Sequence, residues 1–349
     1  MPTSNKDFGE TTTGDQIVSA YGEAVKDKII LITGANPGGI GGSTAVSIAK
    51  ASPKLLILAG RNPSKLSETA ANVQGANPGM KCKSLSLDLS SQESVKKAAK
   101  EILEDDTIPQ IDILVNNAGV MNIAERMLSP EGIEMQFATN HVGHFLFTNL
   151  IMPKIEASAK ANRPGATRIV NLSSRAVVYN GVRFSDWNFT KKEAELPEDE
   201  HLAQQARMLW NQKEDKPYVP QAAYGQSKSA NVLFSIGLNK RLYTTTGILS
   251  IAVHPGVINT ELGRHTEVAA AMENFRKFAP KMHPKTLEEG CSTTLVAALD
   301  PQMNQKDIFL GDCQVADWAP AWSTDPEKAE KLWHLSEEIV GQKFEVVCA

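Results

Sequence analysis

A short apolar strand, a glycine-rich turn and a helix follow one another directly near the start of the chain. Residues 28–33 read KIILIT, residues 34–42 read GANPGGIGG, and a helix is predicted over residues 43–51. A continuous apolar run of this length suits a parallel strand that is covered on both faces. Glycines let the backbone approach a phosphate group, and the following helix presents unpaired N–H groups to an anion. The unit therefore favours a nucleotide-binding turn over a merely structural one.

The alternation of apolar strands and helices continues over most of the chain. After the first strand, further strands are predicted at residues 55–59, 83–89, 112–115, 168–172, 249–254 and 308–310. Strands that alternate with helices imply a Rossmann-type, doubly wound α/β sheet. We therefore expect one seven-stranded, mostly parallel sheet with helices on both faces.

The residues at the end of the second predicted strand distinguish NAD from NADP as the cofactor. An acidic residue at this place would accept hydrogen bonds from the adenosine ribose of NAD. Here the strand ends in Gly60 and Arg61, with no carboxylate. A guanidinium suits a 2′-phosphate and gains nothing from a bare hydroxyl, so the sequence predicts NADP(H). The alternative is that Arg61 stacks on adenine or faces solvent.

Tyr224 and Lys228 are four positions apart in a stretch that is predicted to be helical. Both side chains then lie on one face of the helix, about one turn apart. A free phenol has a pKa near ~10, and an ammonium roughly 4 Å away at an effective dielectric of ~20 offers the phenolate ~4 kcal/mol. The pair therefore predicts a tyrosine whose pKa is lowered towards neutrality, as general acid/base chemistry requires. Alone, this spacing more often marks an amphipathic helix with an exposed lysine.

Composition limits the classes of partner. The formal net charge is -4 and the isoelectric point is near 6.0, which gives no reason to expect a nucleic acid or an anionic membrane. His141 and His144 form a His-x-x-His pair without the glutamate of a zinc signature, so no metal is predicted. No apolar run approaches ~20 residues, and the scattered cysteines suit reduced thiols. We predict a cytoplasmic protein with a small-molecule substrate, either a monomer or a homodimer.

Five motifs, taken with the glycine turn, are similar to those of the short-chain dehydrogenase/reductase family. They read NNAGVM at residues 116–121, NHVGHF at 140–145, NLSS at 171–174, YGQSK at 224–228 and HPGV at 254–257. The resemblance covers roughly residues 28–344. Within the family the chain most resembles the retinol-dehydrogenase-like branch, which includes the WW-domain-containing oxidoreductase, and similar fungal reductases.

The resemblance implies a catalytic role for four residues. Tyr224 would exchange a proton with the substrate oxygen, and Lys228 would hold the nicotinamide ribose and lower the pKa of Tyr224. Ser174 would hydrogen-bond the substrate oxygen as a donor in an oxyanion-type arrangement. Asn140 would hold a water molecule that links Lys228 to solvent. Hydride transfer leaves charge on oxygen, and one donor plus one acid would receive it.

The resemblance also implies which residues would hold the cofactor. Asp88 and Leu89 would flank the adenine, Asn116 would meet the adenosine side, and the segment after the sixth strand would border the nicotinamide. The full set of predicted cofactor-binding residues is Gly34, Asn36, Gly38, Gly39, Ile40, Gly41, Arg61, Asp88, Leu89, Asn116, Ala118, Gly119, Tyr224, Lys228, Pro255, Gly256, Ile258 and Thr260.

Two features depart from the family pattern. Gly34 to Gly39 encloses four residues instead of three, with Pro37 and Gly38 as the expected insertion. Proline fixes φ and glycine can adopt a positive φ, so a bulged turn is feasible, and either Gly38 or Gly39 would approach the phosphate. The stretch between the serine motif and the tyrosine motif is also longer than in the related branch. Its aromatic residues either form part of the substrate wall or belong to a surface flap away from the site.

The domain organisation follows from these patterns. We expect an N-terminal arm with a short helix over residues 1–27, loose in its first part because it is polar, and a single Rossmann-fold catalytic domain over residues 28–349. Within the domain, residues 175–223 would be an inserted substrate-side segment, residues 261–284 a lid and residues 311–349 a C-terminal tail.

The function that the motifs favour is an NADP(H)-dependent carbonyl reductase or alcohol dehydrogenase. The substrate would be a small, apolar or aromatic carbonyl compound or the corresponding alcohol, and NADP(H) leans towards reduction. Two alternatives stay open: a redox-neutral biosynthetic enzyme such as an epimerase or cyclase, and a nucleotide-bound regulator without turnover. Retinoid specificity does not follow from the resemblance, because one fold hosts many substrates.

Overall fold

The computed structural model describes residues 3–210, 216–258, 260, 262 and 283–344. Its strands are β1 (Ile29–Thr33), β2 (Leu55–Gly60), β3 (Cys82–Ser86), β4 (Ile113–Asn116), β5 (Arg168–Leu172), β6 (Leu249–His254), β7 (Val257–Ile258), β8 (Pro284–Lys285), β9 (Phe309–Gly311) and β10 (Gln314–Val315). Its α-helices are α1 (Gly14–Tyr21), α2 (Ile40–Ala49), α3 (Pro63–Ala76), α4 (Gln92–Glu104), α5 (Met135–Phe137), α6 (Gly143–Leu150), α7 (Met152–Ala161), α8 (Gln204–Trp210), α9 (Pro220–Thr246), α10 (Leu287–Leu299), α11 (Ala321–Thr324) and α12 (Pro326–Val340).

Eight of these strands form one sheet in the order β10-β9-β6-β5-β4-β1-β2-β3. Neighbouring strands are parallel except β9 and β10, which are antiparallel. The strand order reverses at β1 and β4, the switch point where open α/β sheets bind ligands. The predicted Rossmann-type fold is confirmed, with all seven expected strands. The additional strand, β10, has two residues, too few for a recognisable sequence pattern.

Alternate residues of the central strands face two separate apolar cores. In β1, Ile29 and Leu31 belong to one core, and Ile30 and Ile32 belong to the other. The first core is covered by α4, α6, α9 and α12, and the second by α1, α2, α3 and α10. Because helices cover both faces of the sheet, its central strands are continuous apolar runs rather than alternating ones.

The starts and ends of some elements depend on turns and caps. Helix α5 begins at Met135, after a turn in which Gly132 has a φ of 77° and Glu134 caps the first helical amides. A π-helical turn, Ala138–Val142, then separates α5 from α6. Strand β3 spans five residues rather than the seven expected. Caps and turn geometry set these ends, and the apolar pattern does not reveal them.

The N-terminal arm is tied to the sheet edge, so the expectation that it is loose was wrong. The side-chain amide of Gln314, in β10, donates hydrogen bonds to the carbonyl groups of Asn5 and Phe8, at 3.0 and 2.8 Å. The amide of Ser4 donates to the carboxylate of Asp300 at 2.8 Å. These hydrogen bonds anchor the polar segment. The sequence pattern does not show them, because the partners lie about three hundred residues further along the chain.

The segment expected to act as a lid, residues 261–284, lies mostly outside the described residues. Strand β7 precedes this segment and β8 begins at its last residue, and the two strands pair with each other in parallel. None of the helices in the described part of the chain combines the length and apolarity that a membrane crossing requires.

Candidate active site

The predicted site residues gather at the carboxyl ends of the central strands. Strand β1 leads into the glycine turn, β4 into Asn117 and Ala118, and β5 into Ser173 and Ser174. Helix α9 packs on β5 and β6 and brings Tyr224 to the same edge of the sheet. Parallel strands end together at one edge, so motifs that are far apart in sequence meet there.

The glycine turn leaves an open approach to the start of α2. Gly34 has a φ of 64°, and a Cβ there would lie 2.7 Å from the Cα of Ala118, so only glycine fits. Gly38 has a φ of 70° with open space around it, and Gly39 precedes α2 without a side-chain cap. Uncapped helix amides beside an open glycine suit the pyrophosphate of a dinucleotide. Gly38 thus has the positive φ that makes the longer turn feasible.

The loop after β4 is locked against the end of β1. The hydroxyl oxygen of Thr33 accepts hydrogen bonds from the amides of Asn117 and Ala118, at 3.0 and 3.1 Å. The side chain of Asn117 donates to the carbonyl of Thr33 at 2.7 Å. A Cβ at Gly41, the second residue of α2, would lie 2.4 Å from that side chain, so Gly41 serves close packing of helix and loop. Ile40, the first residue of α2, is half-buried.

The two histidines of the His-x-x-His pair have separate structural partners. The Nε2 of His144 lies 2.8 Å from the hydroxyl of Thr33. The Nε2 of His141 lies 2.8 Å from the hydroxyl of Ser336, on α12. Burial lowers the pKa of His141 to about 3 and that of His144 to about 4, so both rings are neutral at physiological pH. His144 therefore joins α6 to β1, and His141 joins the π-helical turn to α12.

Asn140 lies in the π-helical turn and holds the loop that follows β4. Its side-chain oxygen accepts from the amide of Val120 at 2.8 Å, and its side-chain nitrogen donates to the carbonyl of Val120 and to the hydroxyl of Ser227, both at 2.9 Å. A Cβ at Gly119 would lie 3.1 Å from this oxygen and 3.6 Å from the Nζ of Lys228. Gly119 thus leaves room for the side chains of both Asn140 and Lys228 against this loop.

Burial shifts the pKa of Tyr224 and of Lys228 in opposite directions. The Nζ of Lys228 donates to the carbonyl of Leu172 at 2.9 Å and lies 5.6 Å from the centre of the Tyr224 ring. Burial lowers the pKa of Lys228 to about 7. Burial also raises the pKa of Tyr224 to about 12, against an opposing hydrogen bond from Ser174. The predicted lowering of the tyrosine pKa is therefore wrong for this structure, since desolvation disfavours both charged forms.

Ser174 lies beside the phenol of Tyr224. Its hydroxyl is near enough to oppose the rise in the pKa of Tyr224, and its Oγ accepts a hydrogen bond from the amide of Ala176 at 3.2 Å. The neighbouring Ser173 has a different role, because its hydroxyl donates to the carbonyl of Lys228 at 2.7 Å. Only the second serine of the pair therefore presents its hydroxyl beside the phenol.

The predicted adenosine side of the site lies at the ends of β2 and β3. Arg61 is exposed, and it forms no hydrogen bond or ion pair with the residues that the structure describes. Asn36 lies near the preceding residue, Gly60, where a Cβ would be 3.7 Å from the Asn36 side-chain oxygen. The carboxylate of Asp88 accepts from the amide and hydroxyl of Ser90 at 3.0 and 2.7 Å. The following residue, Leu89, is buried.

The side chain of Asn116 points into the core rather than towards the adenosine side. Its nitrogen donates to the hydroxyl of Thr148 and to the side-chain oxygen of Asn171, both at 2.9 Å. Asn171 in turn donates to the hydroxyls of Ser235 and Ser250. These hydrogen bonds join β4 and β5 to the helices above them. A cofactor contact from Asn116 would have to come from its main chain.

The segment after β6 is held by a residue that the sequence analysis missed. Gly256 has a φ of 98°, and a Cβ there would lie 2.5 Å from the side chain of Lys285. Lys285 is almost fully buried and forms an ion pair of 2.6 Å with Asp312. Ile258 lies in β7, and Thr260 accepts a hydrogen bond from the amide of Leu262 at 3.3 Å. No sequence signal marks Lys285, whose partner lies 27 positions further along the chain.

The sheet order and the glycine turn define a Rossmann-type protein of the dinucleotide-binding class. The family model described as short chain dehydrogenase matches residues 28–193. Retinol dehydrogenase 13 of Homo sapiens is 35% identical over 91% of this chain and 86% of its own length. The chain therefore belongs to the short-chain dehydrogenase family, and its relatives place it in the retinol-dehydrogenase-like branch.

Other similar proteins agree with this assignment. An uncharacterized oxidoreductase of Schizosaccharomyces pombe is 34% identical over 80% of this chain and 75% of its own length. A crystal structure of an uncharacterized protein from Mycobacterium Paratuberculosis has a TM-score of 0.63 and 26% identity, covering 91% of this chain and 94% of that one. The NADPH-bound carbonyl reductase from chicken fatty liver has a TM-score of 0.56 over 84% of this chain and 100% of its own. At 21% identity, the last likeness concerns the fold alone.

Proposed function

We propose that this oxidoreductase transfers a hydride between NADP(H) and the carbonyl or alcohol group of a small, apolar substrate. The observation that carries the proposal is the placement of the Ser174 hydroxyl beside the phenol of Tyr224, with Lys228 buried next to that ring. Two neighbouring hydroxyl groups can both bind a single substrate oxygen. Bound NADPH would supply the hydride in the reductive direction.

The proton is best supplied by Tyr224 in the direction of reduction. A phenol whose pKa is raised to about 12 keeps its proton at neutral pH. In reduction, the substrate oxygen gains negative charge, and a neutral phenol can donate its proton there while Ser174 donates a second hydrogen bond. Lys228 would bind the nicotinamide ribose, and a positive charge there would lower the barrier to phenolate formation. Asn140 would hold the loop that borders this position and a water molecule beside Lys228.

Arg61 supports NADP(H) over NAD(H). Its guanidinium follows β2, where an NAD-binding chain carries a carboxylate, and it is exposed without a partner among the described residues. A 2′-phosphate would provide that partner through charge-assisted hydrogen bonds. Structures of similar fold are described as NADPH-bound, including a short-chain dehydrogenase from Sphingobium yanoikuyae. The other predicted cofactor contacts, from the glycine turn to Thr260, complete the proposed binding surface.

We also propose the domain organisation that the sequence indicated: residues 28–349 as one catalytic domain, with residues 175–223 on the substrate side. A cytoplasmic location stays a prediction from the sequence, which imaging of the tagged full-length chain tests.

The direct test is oxidation of NADPH with a panel of aldehydes and ketones, followed at about 340 nm. Turnover of any carbonyl compound that is lost in Tyr224→Phe supports the proposal. NADPH binding with no turnover of any carbonyl or alcohol would favour a regulator. Substrate conversion without a net change in absorbance would favour a redox-neutral enzyme. Either result would overturn the proposed reaction.

A further inference from the structure

The inserted segment between Ser174 and Tyr224 packs directly on α9 beside Tyr224. A Cβ at Gly225 would lie 2.6 Å from the side-chain oxygen of Asn180 and 3.0 Å from the carbonyl of Ala176. The hydroxyl of Ser229, one turn further along, donates to the carbonyl of Asn180 at 2.7 Å. The first residues of the insertion are therefore fixed against the helix that carries the phenol, and they are not a detached surface flap.

Tyr179 lies within this fixed stretch and contacts a second aromatic residue. It ends the short 3₁₀-helix that Ser174 caps. Its ring meets Trp210 edge to face, with ring centres 4.8 Å apart. The amide of Ala203 donates to the carbonyl of Tyr179 at 2.8 Å, which ties the approach to α8 to this position. This backbone hydrogen bond therefore holds the two segments together where their rings meet.

Trp210 is also held against the start of α9. It packs on an apolar cluster that contains Val219, Ala222 and Ala223, the last of which directly precedes Tyr224. Tyr179 and Trp210 are both half-buried, so each ring keeps a free surface. Tyr179 is also close enough to Tyr224 for its charge state to influence the ionisation of that phenol. Both rings thus border the end of α9 where the reacting phenol lies.

Other aromatic residues of the insertion are committed to internal packing. Trp187 packs against Phe137 with ring centres 6.2 Å apart, next to the first core. Phe189 is fully buried beneath the guanidinium of Arg183. The hydroxyl of Tyr179, in contrast, forms no hydrogen bond with the residues that the structure describes. Tyr179 therefore has both a free ring surface and a free hydroxyl beside the proposed reaction site.

We propose that Tyr179 and Trp210 form an aromatic wall of the substrate site and select carbonyl compounds with a planar apolar group next to the carbonyl. The inference rests on the proposed function and narrows its substrate class. A planar ring gains from stacking or edge-to-face contact with such a wall, whereas a short alkyl chain gains only contact area. The hydroxyl of Tyr179 would offer a further hydrogen bond to a polar group on the ring.

The test compares benzaldehyde with propanal in Tyr179→Leu and Trp210→Leu. We expect the ratio of kcat/KM for benzaldehyde to that for propanal to fall by about 10-fold in each variant, and to recover in Trp210→Phe. Trp187→Phe serves as the matched control, since Trp187 packs towards Phe137. An unchanged ratio in both leucine variants would overturn the inference, even if the enzyme reduces both aldehydes.

A binding measurement keeps the test independent of turnover. Saturation-transfer NMR reports contact between the protein and benzaldehyde without any reaction, and the signal should weaken in both leucine variants while the Kd of NADPH stays within about twofold. Equal saturation transfer in the wild type and in both variants would refute the aromatic wall. Absence of NADPH oxidation with any carbonyl would instead refute the proposed function, so the two failures are distinguishable.

Discussion

The side-chain nitrogen of Lys228 lies 5.6 Å from the centre of the Tyr224 ring, and both side chains are buried. Burial raises the pKa of the phenol to about 12 and lowers that of the amine to about 7. At neutral pH the tyrosine is therefore neutral, and the lysine is near the midpoint of its titration. A small electrostatic change at this site can alter the charge of Lys228, which in turn changes the acidity of Tyr224.

Replacement of Tyr224 by Phe tests the proton donor. The change removes one hydroxyl from a buried ring, so we expect kcat to fall by about 10²–10⁴-fold while the Kd of NADPH changes little. Steady-state kinetics and fluorescence titration with NADPH measure the two effects separately. Tyr243→Phe is the matched control, because Tyr243 lies on the same helix but packs against the second core. Near-normal turnover in Tyr224→Phe would remove the phenol from the mechanism.

Lys228 should make the stability of the protein depend on pH. Its pKa is about 7 in the folded protein and near ~10.4 in an unfolded chain, so between these values the unfolded state binds more protons. Stability contributed by this residue therefore rises with pH across that window, by at most about 1.4 kcal/mol per pH unit. We expect Lys228→Met to lose this rise.

Urea unfolding of the wild type and Lys228→Met at about pH 7.5 and about pH 9.5 measures the difference. The window lies below the titration of Tyr224, whose raised pKa acts in the opposite direction above ~10. Comparison with the variant cancels the titration of the buried cysteines, whose raised pKa values also lower stability at high pH. If the free energy of unfolding changes equally between these two pH values in both proteins, Lys228 keeps its proton in the folded state over that range.

Replacement of Arg61 by Ala tests the choice of cofactor. Loss of charge-assisted hydrogen bonds to a 2′-phosphate should weaken NADPH binding by about 10–100-fold. NADH lacks that phosphate, so its Kd should stay within about twofold. Arg163→Ala is the matched control, since Arg163 is also exposed but lies before the amino end of β5, at the opposite edge of the sheet. Equal losses for NADPH and NADH would refute a specific role in phosphate recognition.

Close packing explains the glycine at position 41 and gives a further prediction. Gly41→Ala places a methyl group 2.4 Å from the side chain of Asn117, so we expect a loss of about 1–3 kcal/mol in the free energy of unfolding. Gly75→Ala is the control, because Gly75 lies in α3 with no atom within 4 Å of its Cβ position. It should stabilise the protein by about 0.5–1 kcal/mol. Denaturant unfolding measures both, and a neutral Gly41→Ala would show that the loop can shift.

The fold could be predicted because its signals are local. Each central strand is a short apolar run, and the turn after β1 must contain glycine where φ is positive, as at Gly34 and Gly38. The strands and the turn depend on each residue and its neighbours in sequence. The position of Ser174 could be predicted because it follows a parallel strand, and that of Tyr224 because of the resemblance to the family.

The remaining features depend on burial and on distant partners. The spacing of Tyr224 and Lys228 indicates their proximity, but the direction of their pKa shifts is set by desolvation, which no sequence spacing shows. Asn116 points into the core because Thr148 and Asn171 accept its hydrogen bonds there. Both partners are more than thirty positions away along the chain.

The ion pair of Lys285 and Asp312 gives the last prediction. The side chain of Lys285 is 2% exposed, that of Asp312 is 51% exposed, and the lysine side chain packs against Gly256. Asp312→Asn would leave a buried ammonium without its counter-charge, which should cost about 1–3 kcal/mol, less than a fully buried pair because Asp312 is half-exposed.

A double-mutant cycle with Lys285→Met separates the ion pair from simple packing. The double variant should regain part of the stability lost in Asp312→Asn, because a buried methionine needs no partner. If the pair also positions Gly256, the Kd of NADPH should rise in both single variants and recover in Lys285→Arg, which keeps the charge. Additive changes in stability would show that Lys285 and Asp312 are not energetically coupled. An unaltered Kd of NADPH would show that the pair does not position Gly256.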